Sequence, residues 1–288
     1  MVSETTLLSR LREIIFDSES GSSEIAIGVL KLLSKEAEPT TYQHEVKLLE
    51  TMINIALERP SLILPVNLLT TIRDALQIAP RSKARLKDLT ERLLEIYSES
   101  LSNAVSKAVE RIRGMRRIFT LSYSSQVFRV LLSLKDVSVI VNAGWPLFDG
   151  LLMAKRLRSI GINVNVYPDA ALAEAVEVSD VVLIGCDAVL RDGSLVNRSG
   201  TFLVSKVAED KKPVISIVDV FKLDHIGAWR PEFTTYLQGD FELRYRLFEA
   251  TPPALISEYV SEIGALKPLT FVHEAEKRIK EIVKRLAE

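Results

Sequence analysis

Asp180 to Thr201 reads DVVLIGCDAVLRDGSLVNRSGT. Its first five residues, Asp180 to Ile184, form a β-branched apolar run, the pattern of a buried strand. Gly185-Cys186-Asp187 ends the run, Asp192-Gly193 predicts a turn, and Asn197-Arg198-Ser199-Gly200-Thr201 is expected to open a helix. That order sets a carboxylate, Asp187, at the carboxyl end of a strand and near the free N–H groups of a helix start. Ligands bind at that edge of open α/β sheets, and helix starts favour phosphate.

Outward from this stretch the same alternation continues. Arg116 to Leu121 predicts a strand and Ser124 to Leu134 a helix; Val137 to Val141 a strand and Leu147 to Ile160 a helix; Asn163 to Tyr167 a strand and Asp169 to Val178 a short helix. Beyond it, Thr201 to Asp210 reads as a helix, Val214 to Val218 and Phe241 to Phe248 as strands, Pro253 to Ile263 as a helix, and Phe271 to Leu286 as a charged amphipathic helix. Strands alternating with helices predict a parallel sheet covered on both faces.

The first third has a helical period throughout. Leu7, Leu8, Leu11, Ile14 and Ile15 share one face, a polar break at Ser18 to Ser23 follows, and a second helix begins near Glu24. Thr40 to Arg59 carries Val46, Leu49, Ile53 and Leu57 at helical spacing, and Pro65 suits the first turn of the next helix. From Arg81 to Arg113 the apolar positions recur every three or four residues, which predicts one long helix stopped by Gly114. Its stripe is read as an intramolecular packing face rather than a coiled-coil seam. The fold class expected is therefore α/β: an all-helical N-terminal domain, residues 1–113, followed by a Rossmann-like parallel-sheet domain, residues 114–288.

Composition narrows the function classes. In 288 residues, 47% are apolar and 26% charged, with a net charge of -1, so there is no general basic field for direct nucleic-acid binding. No run approaches the roughly 18 apolar residues of a membrane span. The amino terminus lacks the apolar core of a signal peptide, and a single cysteine, Cys186, fits a reducing, cytoplasmic setting. His44, His225 and His273 are scattered without metal-ligand spacing. No Walker sequence and no GxGxxG occurs, so neither a metal nor a cofactor is expected.

Several residues can carry chemistry, each with a plainer role beside it. Asp187 can act as a general acid/base if desolvation raises its pKa, or it can hold the turn around Asp192 and Gly193. Cys186 is a nucleophile only if some group lowers its pKa; among apolar strand neighbours it reads as a buried, inert thiol. Ser122-Tyr123-Ser124-Ser125 follows a strand and starts a helix, offering hydroxyls and N–H groups to an anion, while Ser124 or Ser125 suits the helix N-cap. Asp149 and Asp169 sit at other strand-to-helix turns on the same edge as turn or cap residues.

Taken together, these segments resemble the alpha/beta/delta regulatory subunits of eukaryotic-type translation initiation factor 2B, a superfamily that also contains methylthioribose-1-phosphate isomerase and ribose-1,5-bisphosphate isomerase. The similarity rests on Gly185-Cys186-Asp187 with Asp192-Gly193-Ser194-Leu195-Val196-Asn197-Arg198-Ser199-Gly200-Thr201, on Thr120-Leu121-Ser122, on Phe248-Glu249-Ala250-Thr251-Pro252, and on Arg59-Pro60-Ser61 with Asn67. It implies a helical domain joined to a Rossmann-like one, with homodimerisation through the latter. The isomerases of this superfamily use a cysteine and an aspartate to move a proton between C1 and C2 of a phosphorylated sugar. The aspartate falls on Asp187 and the cysteine on Ser122, a poor acid/base at neutral pH. Two phosphate-binding arginines of the isomerases fall on Ser20 and Trp145, so two anion clamps are expected to be missing.

The resemblance thus implies a non-catalytic regulatory subunit with initiation factor 2 or related subunits as partners. A phosphorylated small molecule is an expected ligand, held by Gly21, Ser22, Ser122, Ser124, Asn197, Arg198, Gly200 and Thr201. The alternative it implies is a sugar-phosphate isomerase in which Asp187 is catalytic.

Overall fold

The computed structural model describes residues 4–17, 20–37, 41–79 and 85–288. Ser18, Thr40 and Arg81, where three of the expected segments begin, lie outside them. Five helices come first: α1 (Glu4–Ile15), α2 (Ser22–Glu36), α3 (Tyr42–Leu57), α4 (Ile63–Ile78) and α5 (Leu86–Arg111). Each buries the stripe its period sets out; in α1 that is Leu7, Leu11 and Ile15. α4 has little polar face at all and is buried nearly all round, so it forms the centre of the helical region.

Asn67 lies at that centre with no exposure. Its amide donates to the carbonyls of Phe221 (2.7 Å) and Leu223 (2.8 Å), far along the chain. Replacing Asn67 by alanine takes the donor from the Phe221 carbonyl, an unpaired buried acceptor worth about 1–3 kcal/mol, while the Leu223 carbonyl keeps the His225 N–H at 2.8 Å. Urea unfolding of Asn67→Ala is therefore expected to show a loss of about 1–3 kcal/mol, and a loss under about 0.5 kcal/mol would show that the tie carries nothing.

The α/β part runs β1 (Arg117–Thr120), α6 (Ser125–Leu132), β2 (Ser138–Asn142), α7 (Asp149–Ser159), β3 (Asn163–Tyr167), α8 (Leu172–Glu177) and β4 (Val181–Ile184). It continues with β5 (Ala188–Val189), β6 (Leu195–Arg198), α9 (Thr201–Ala208), β7 (Val214–Ile217), β8 (Phe233–Gln238) and β9 (Phe241–Arg246). It ends with β10 (Phe248–Thr251), β11 (Glu258–Ser261), β12 (Gly264–Leu266) and α10 (Pro268–Ala287). Among the described residues the main sheet has seven strands in the order β12-β11-β7-β4-β1-β2-β3. All its pairings are parallel except the edge pair β11–β12.

Both faces of this sheet are covered, and the strands alternate between two cores as a period of two requires. Along β4, Val182 and Ile184 enter the core shared with the helical region, while Val181 and Leu183 enter the core beneath α6 and α7. α5 joins the two: Leu86, Leu89, Leu93, Tyr97 and Leu101 lie in the first, Ala104, Ala108 and Ile112 in the second. Its stripe is thus an intramolecular seam, and the chain turns out of it through Gly114 at φ +90°. α10 returns from the carboxyl end to pack on α4 and α5.

Three expectations are corrected. Asn197 and Arg198 do not open a helix; they end β6, which pairs antiparallel with β10, and the helix begins at Thr201. Pro253 to Ile263 is not a helix: one short turn over Pro253–Leu255 leads into β11 and the β11–β12 hairpin. Tyr259 and Val260 there fill the sheet's two faces, one in each core. Phe241 to Phe248 divides into β9 and the start of β10, and β9 pairs with β8 in a two-stranded arm. Among the described residues no helix is long and apolar enough to cross a membrane.

Candidate functional site

The carboxyl ends of β1, β4 and β6 open into a cleft of about 330 Å³. The helical region supplies one wall through Gly21, Ser22, Ser23 and Arg59; the β1–α6 loop and the start of α6, residues 122–126, supply another; Cys186, Asp187, Asn197, Arg198 and Lys222 border it as well. Of the residues expected to hold a ligand, Gly21, Ser22, Ser122, Ser124, Asn197 and Arg198 all border this cleft together with Asp187.

Local backbone chemistry explains the placement. Gly185 ends β4 against the β1–α6 loop, where a Cβ would stand 2.6 Å from Ser124 Oγ; only glycine allows that approach. Ser124 is the N-cap of α6, its Oγ accepting from the Val127 N–H at 3.4 Å. Ser122 is buried and held at φ 59°, the left-handed region. A non-glycine residue there stores strain of about 1–3 kcal/mol, the kind that clusters at ligand sites. At α2 the Gly21 N–H donates to Glu24 at 3.0 Å, closing the first turn beside the cleft.

The α9 start behaves differently from expectation. Glu249 Oε1 accepts from the N–H groups of Gly200 (2.8 Å) and Phe202 (2.9 Å). A carboxylate of the chain itself therefore occupies the anion cradle at that helix N-terminus. Thr201 is fully buried, its hydroxyl donating to the Arg198 carbonyl (2.6 Å) and accepting from Asn197 Nδ2 (3.1 Å). Thr201 thus caps its own loop and does not face the cleft, and Gly200 borders only the neighbouring chamber.

Neither of the two positions where an arginine is expected to be missing, Ser20 and Trp145, carries a cation. Ser20 does border the cleft, but Trp145 does not, and Arg59, Arg198 and Lys222 bring positive charge to it. Arg59 Nη1 donates to the carbonyls of Ile15 (2.6 Å) and Asp17 (2.9 Å). Burial pushes this guanidinium below its ordinary value, and the carboxylates of Glu232 and Asp187 pull it back up. Arg198 Nε pairs with Asp149 Oδ2 at 3.1 Å, and its guanidinium lies 5.1 Å from the centre of the Phe248 ring. Burial raises the Asp149 carboxyl, and Arg198 works against that rise.

Lys222 lies in the floor. Its ammonium donates to the Cys186 carbonyl (2.5 Å) and Gln126 Oε1 (3.1 Å) and stands 3.9 Å from Asp219 Oδ2. Both partners of this ion pair are buried. Burial raises Asp219, and Lys222 opposes it. The Cys186 thiol packs into the core, and burial pushes it well above its ordinary range, so it stays protonated at neutral pH. Among the described residues no group of three or more His, Cys, Asp or Glu is placed to hold a metal.

Sequence spacing missed Arg59, Gln126 and Lys222. Arg59 entered only through Arg59-Pro60-Ser61, among the residues that carry the family resemblance, with no binding role attached to it. Lys222, a lone cation inside the apolar run Val220-Phe221-Lys222-Leu223, carried a usable signal, because a charge among buried apolar residues needs a partner.

A second chamber of about 250 Å³ adjoins the cleft, and Ser122, Leu147, Arg198 and Leu247 border both. Trp145, Pro146, Leu172, Leu203 and Tyr245 line it, with Asp149 and Asp169 among them. The Asp169 carboxylate is taken up by Asn142 Nδ2 (2.6 Å) and by the N–H groups of Gly144 (3.0 Å) and Trp145 (2.9 Å).

Comparison with known proteins matches this architecture. A ribose 1,5-bisphosphate isomerase of Pyrococcus furiosus is 26% identical over 280 residues, covering 86% of this chain and 86% of that one. The translation initiation factor eIF2B subunit alpha of Dictyostelium discoideum is 28% identical over 211 residues, covering 65% of this chain and 66% of that one. The solved structure of a Pyrococcus horikoshii translation initiation factor eIF-2B superposes with a TM-score of 0.80 at 23% identity, over 92% of this chain and 98% of that one. The model of the initiation factor 2 subunit family matches residues 18–268, which include every residue bordering the cleft, and the chain belongs to that family.

Proposed function

We propose that the protein is an initiation-factor-2B-like regulatory subunit that binds a phosphorylated small molecule in the cleft without turning it over. The observation that supports this reading is a cleft with positive charge but no ionisable thiol. Arg59, Arg198 and Lys222 border it, a hydroxyl stands at Ser122, and the one thiol, Cys186, is buried and protonated. A serine hydroxyl without an adjacent base exchanges protons poorly at neutral pH. Residues 1–113 wall the cleft on one side and residues 114–288 on the other, so a bound ligand would tie the two parts together.

Assembly belongs to the same reading. The β8–β9 arm exposes Leu237 at 70% and Phe241 at 74% of their surfaces. Trp145, Leu147, Phe148 and Leu151 are also exposed beside the second chamber, and Trp145 contacts Tyr236 of the arm at 6.4 Å between ring centres. Apolar surface of this extent suits a subunit contact, with a second copy or a related subunit as partner.

Calorimetry with ribose 5-phosphate is expected to give saturable binding, and proton NMR in heavy water no enzyme-like exchange at C2. Arg59→Met is expected to weaken binding about 10- to 100-fold, the worth of a hydrogen bond to a charged group. The second reading, a sugar-phosphate isomerase, is favoured by the similarity to the ribose 1,5-bisphosphate isomerase along 86% of both chains and by Asp187 at the cleft. Rapid C2 exchange that Asp187→Asn abolishes would establish it in place of the first.

A further inference from the structure

We propose that a groove at the amino edge of the main sheet, between the α5–β1 turn and the α6–β2 turn, docks an acidic peptide segment of a partner protein, with carboxylates at its rim and an aliphatic side chain on its floor. The groove lies at the opposite edge of the sheet from the cleft and does not depend on what the cleft binds.

The groove holds about 290 Å³. One lip is the turn that leaves α5, Arg113-Gly114-Met115-Arg116; the other is the turn that enters β2, residues 133–136. Val109, Met115, Leu134 and Val137 form the floor, half-buried where they rest on the core beneath α6 and α7. Backbone bonds fix the lips. The Ser138 N–H donates to the Arg116 carbonyl at 2.7 Å, and the N–H groups of Arg116 and Arg117 donate to Asp180 Oδ2 at 3.0 and 2.9 Å. A partner meets a groove already shaped, which lowers the cost of binding.

The charges choose the partner. Residues 111–117 read RIRGMRR, an arginine-rich turn. Arg111 pairs with Glu258 Oε1 at 2.6 Å, and Arg117 with Asp180 Oδ1 at 2.8 Å. The fold thus meets the outer two guanidinium groups with carboxylates of its own. Between them Arg113 and Arg116 are exposed, as is Lys135 across the groove, and among the described residues none of these three side chains has a hydrogen bond or ion pair. Asp136 is the one carboxylate among the lining residues, so the free cations outnumber it. Arginine takes carboxylate and phosphate alike, and the floor decides between them. It has no aromatic ring for a base to stack on, the usual platform for a single strand, whereas its aliphatic surface gains by being covered with an aliphatic side chain.

Fluorescence anisotropy on the full chain, at low salt to limit screening, tests this with a short labelled peptide of aspartate and glutamate carrying two central leucines. Saturable binding is expected. Arg113→Glu with Arg116→Glu should weaken it at least about tenfold, and Lys135→Glu at least about threefold; the three side chains are exposed and unbonded, so the variants keep the fold. Replacing the peptide's leucines by serine should weaken binding at least about threefold. No saturable binding, or equal affinity in the double variant and the parent, overturns the site. An affinity indifferent to the leucines overturns the role of the floor. A single-stranded oligoadenylate of the same charge that binds more tightly than the peptide makes the face a nucleic-acid surface and overturns the acidic peptide as partner.

Discussion

Replacing Lys222 by methionine is expected to cost about 3–5 kcal/mol of stability, the range for breaking a buried ion pair by removing one partner. The side chain sits at the meeting point of three elements. Its ammonium donates to the Cys186 carbonyl after β4 and to Gln126 of α6, and it faces Asp219 across 3.9 Å. Without it, Asp219 has no cation beside it and keeps only neutral donors, Gln126 Nε2 at 3.5 Å and the backbone N–H groups of Phe221 and Lys222, and its Oδ1 already has no side-chain partner. A buried carboxylate in that position takes up a proton instead. Proton uptake is easier in acid, so the deficit should shrink at pH 5 and grow at pH 8. Methionine fills a similar volume, which keeps cavity formation out of the comparison. The double variant Lys222→Met with Asp219→Asn removes both charges and should recover part of the loss. Equal losses in the single and double variants by urea unfolding would show that packing, not charge, sets the cost.

The same residue shows where reading the chain from its sequence stops. Periodicity located the helical first third, the strand at Val181–Ile184 and the alternation around it, because burying one face of a helix or both faces of a parallel strand constrains residue type at every position. Three kinds of feature escaped it. β5, β6 and β10 are short, and their pairing is set by a sheet outside the main one, so their residues carry no extended pattern. β8 and β9 are exposed along most of their length, and a strand that buries neither face shows no alternation to read. The cleft's charges come from positions far apart in sequence, Arg59 in one interhelical turn and Lys222 after β7, which only the packing of α4 against the turn Val220–Lys222 brings together. Asn67 ties that packing. Asp187 and the loop at Ser122 were legible because each follows a strand end, where the fold itself fixes the direction of approach. The role expected for Thr201 failed for a local reason: the nearby Glu249, brought by the β6–β10 pairing, reaches the helix start first.

A second large effect concerns pH. Glu262 lies in the turn between β11 and β12, and burial, reinforced by the negative charge of Asp219, raises its carboxyl from 4.5 to about 7. Its Oε1 accepts from the Val220 N–H at 3.2 Å, while Oε2 is buried with no partner; a hydrogen bond with Ser100 and the Val220 N–H pull the pKa back down without cancelling the rise. Between pH 4.5 and 7 the folded chain holds a proton here that the unfolded chain has released. Unfolding then releases a proton, so raising the pH through this window destabilises the fold, by an amount on the order of 3 kcal/mol at its upper end. Glu262→Gln keeps the shape and the acceptor but has no charge to desolvate. At pH 5 it is expected to lie within about 1 kcal/mol of the parent, and at pH 8.5 to be more stable by about 2–3 kcal/mol. Urea unfolding at half-unit pH steps reads this directly. The parent curve should fall between pH 5 and 7.5 and the variant curve should be flatter there. Two parallel curves would mean that Glu262 is ionised throughout, with solvent or a cation at Oε2, and that the slope belongs to Asp219.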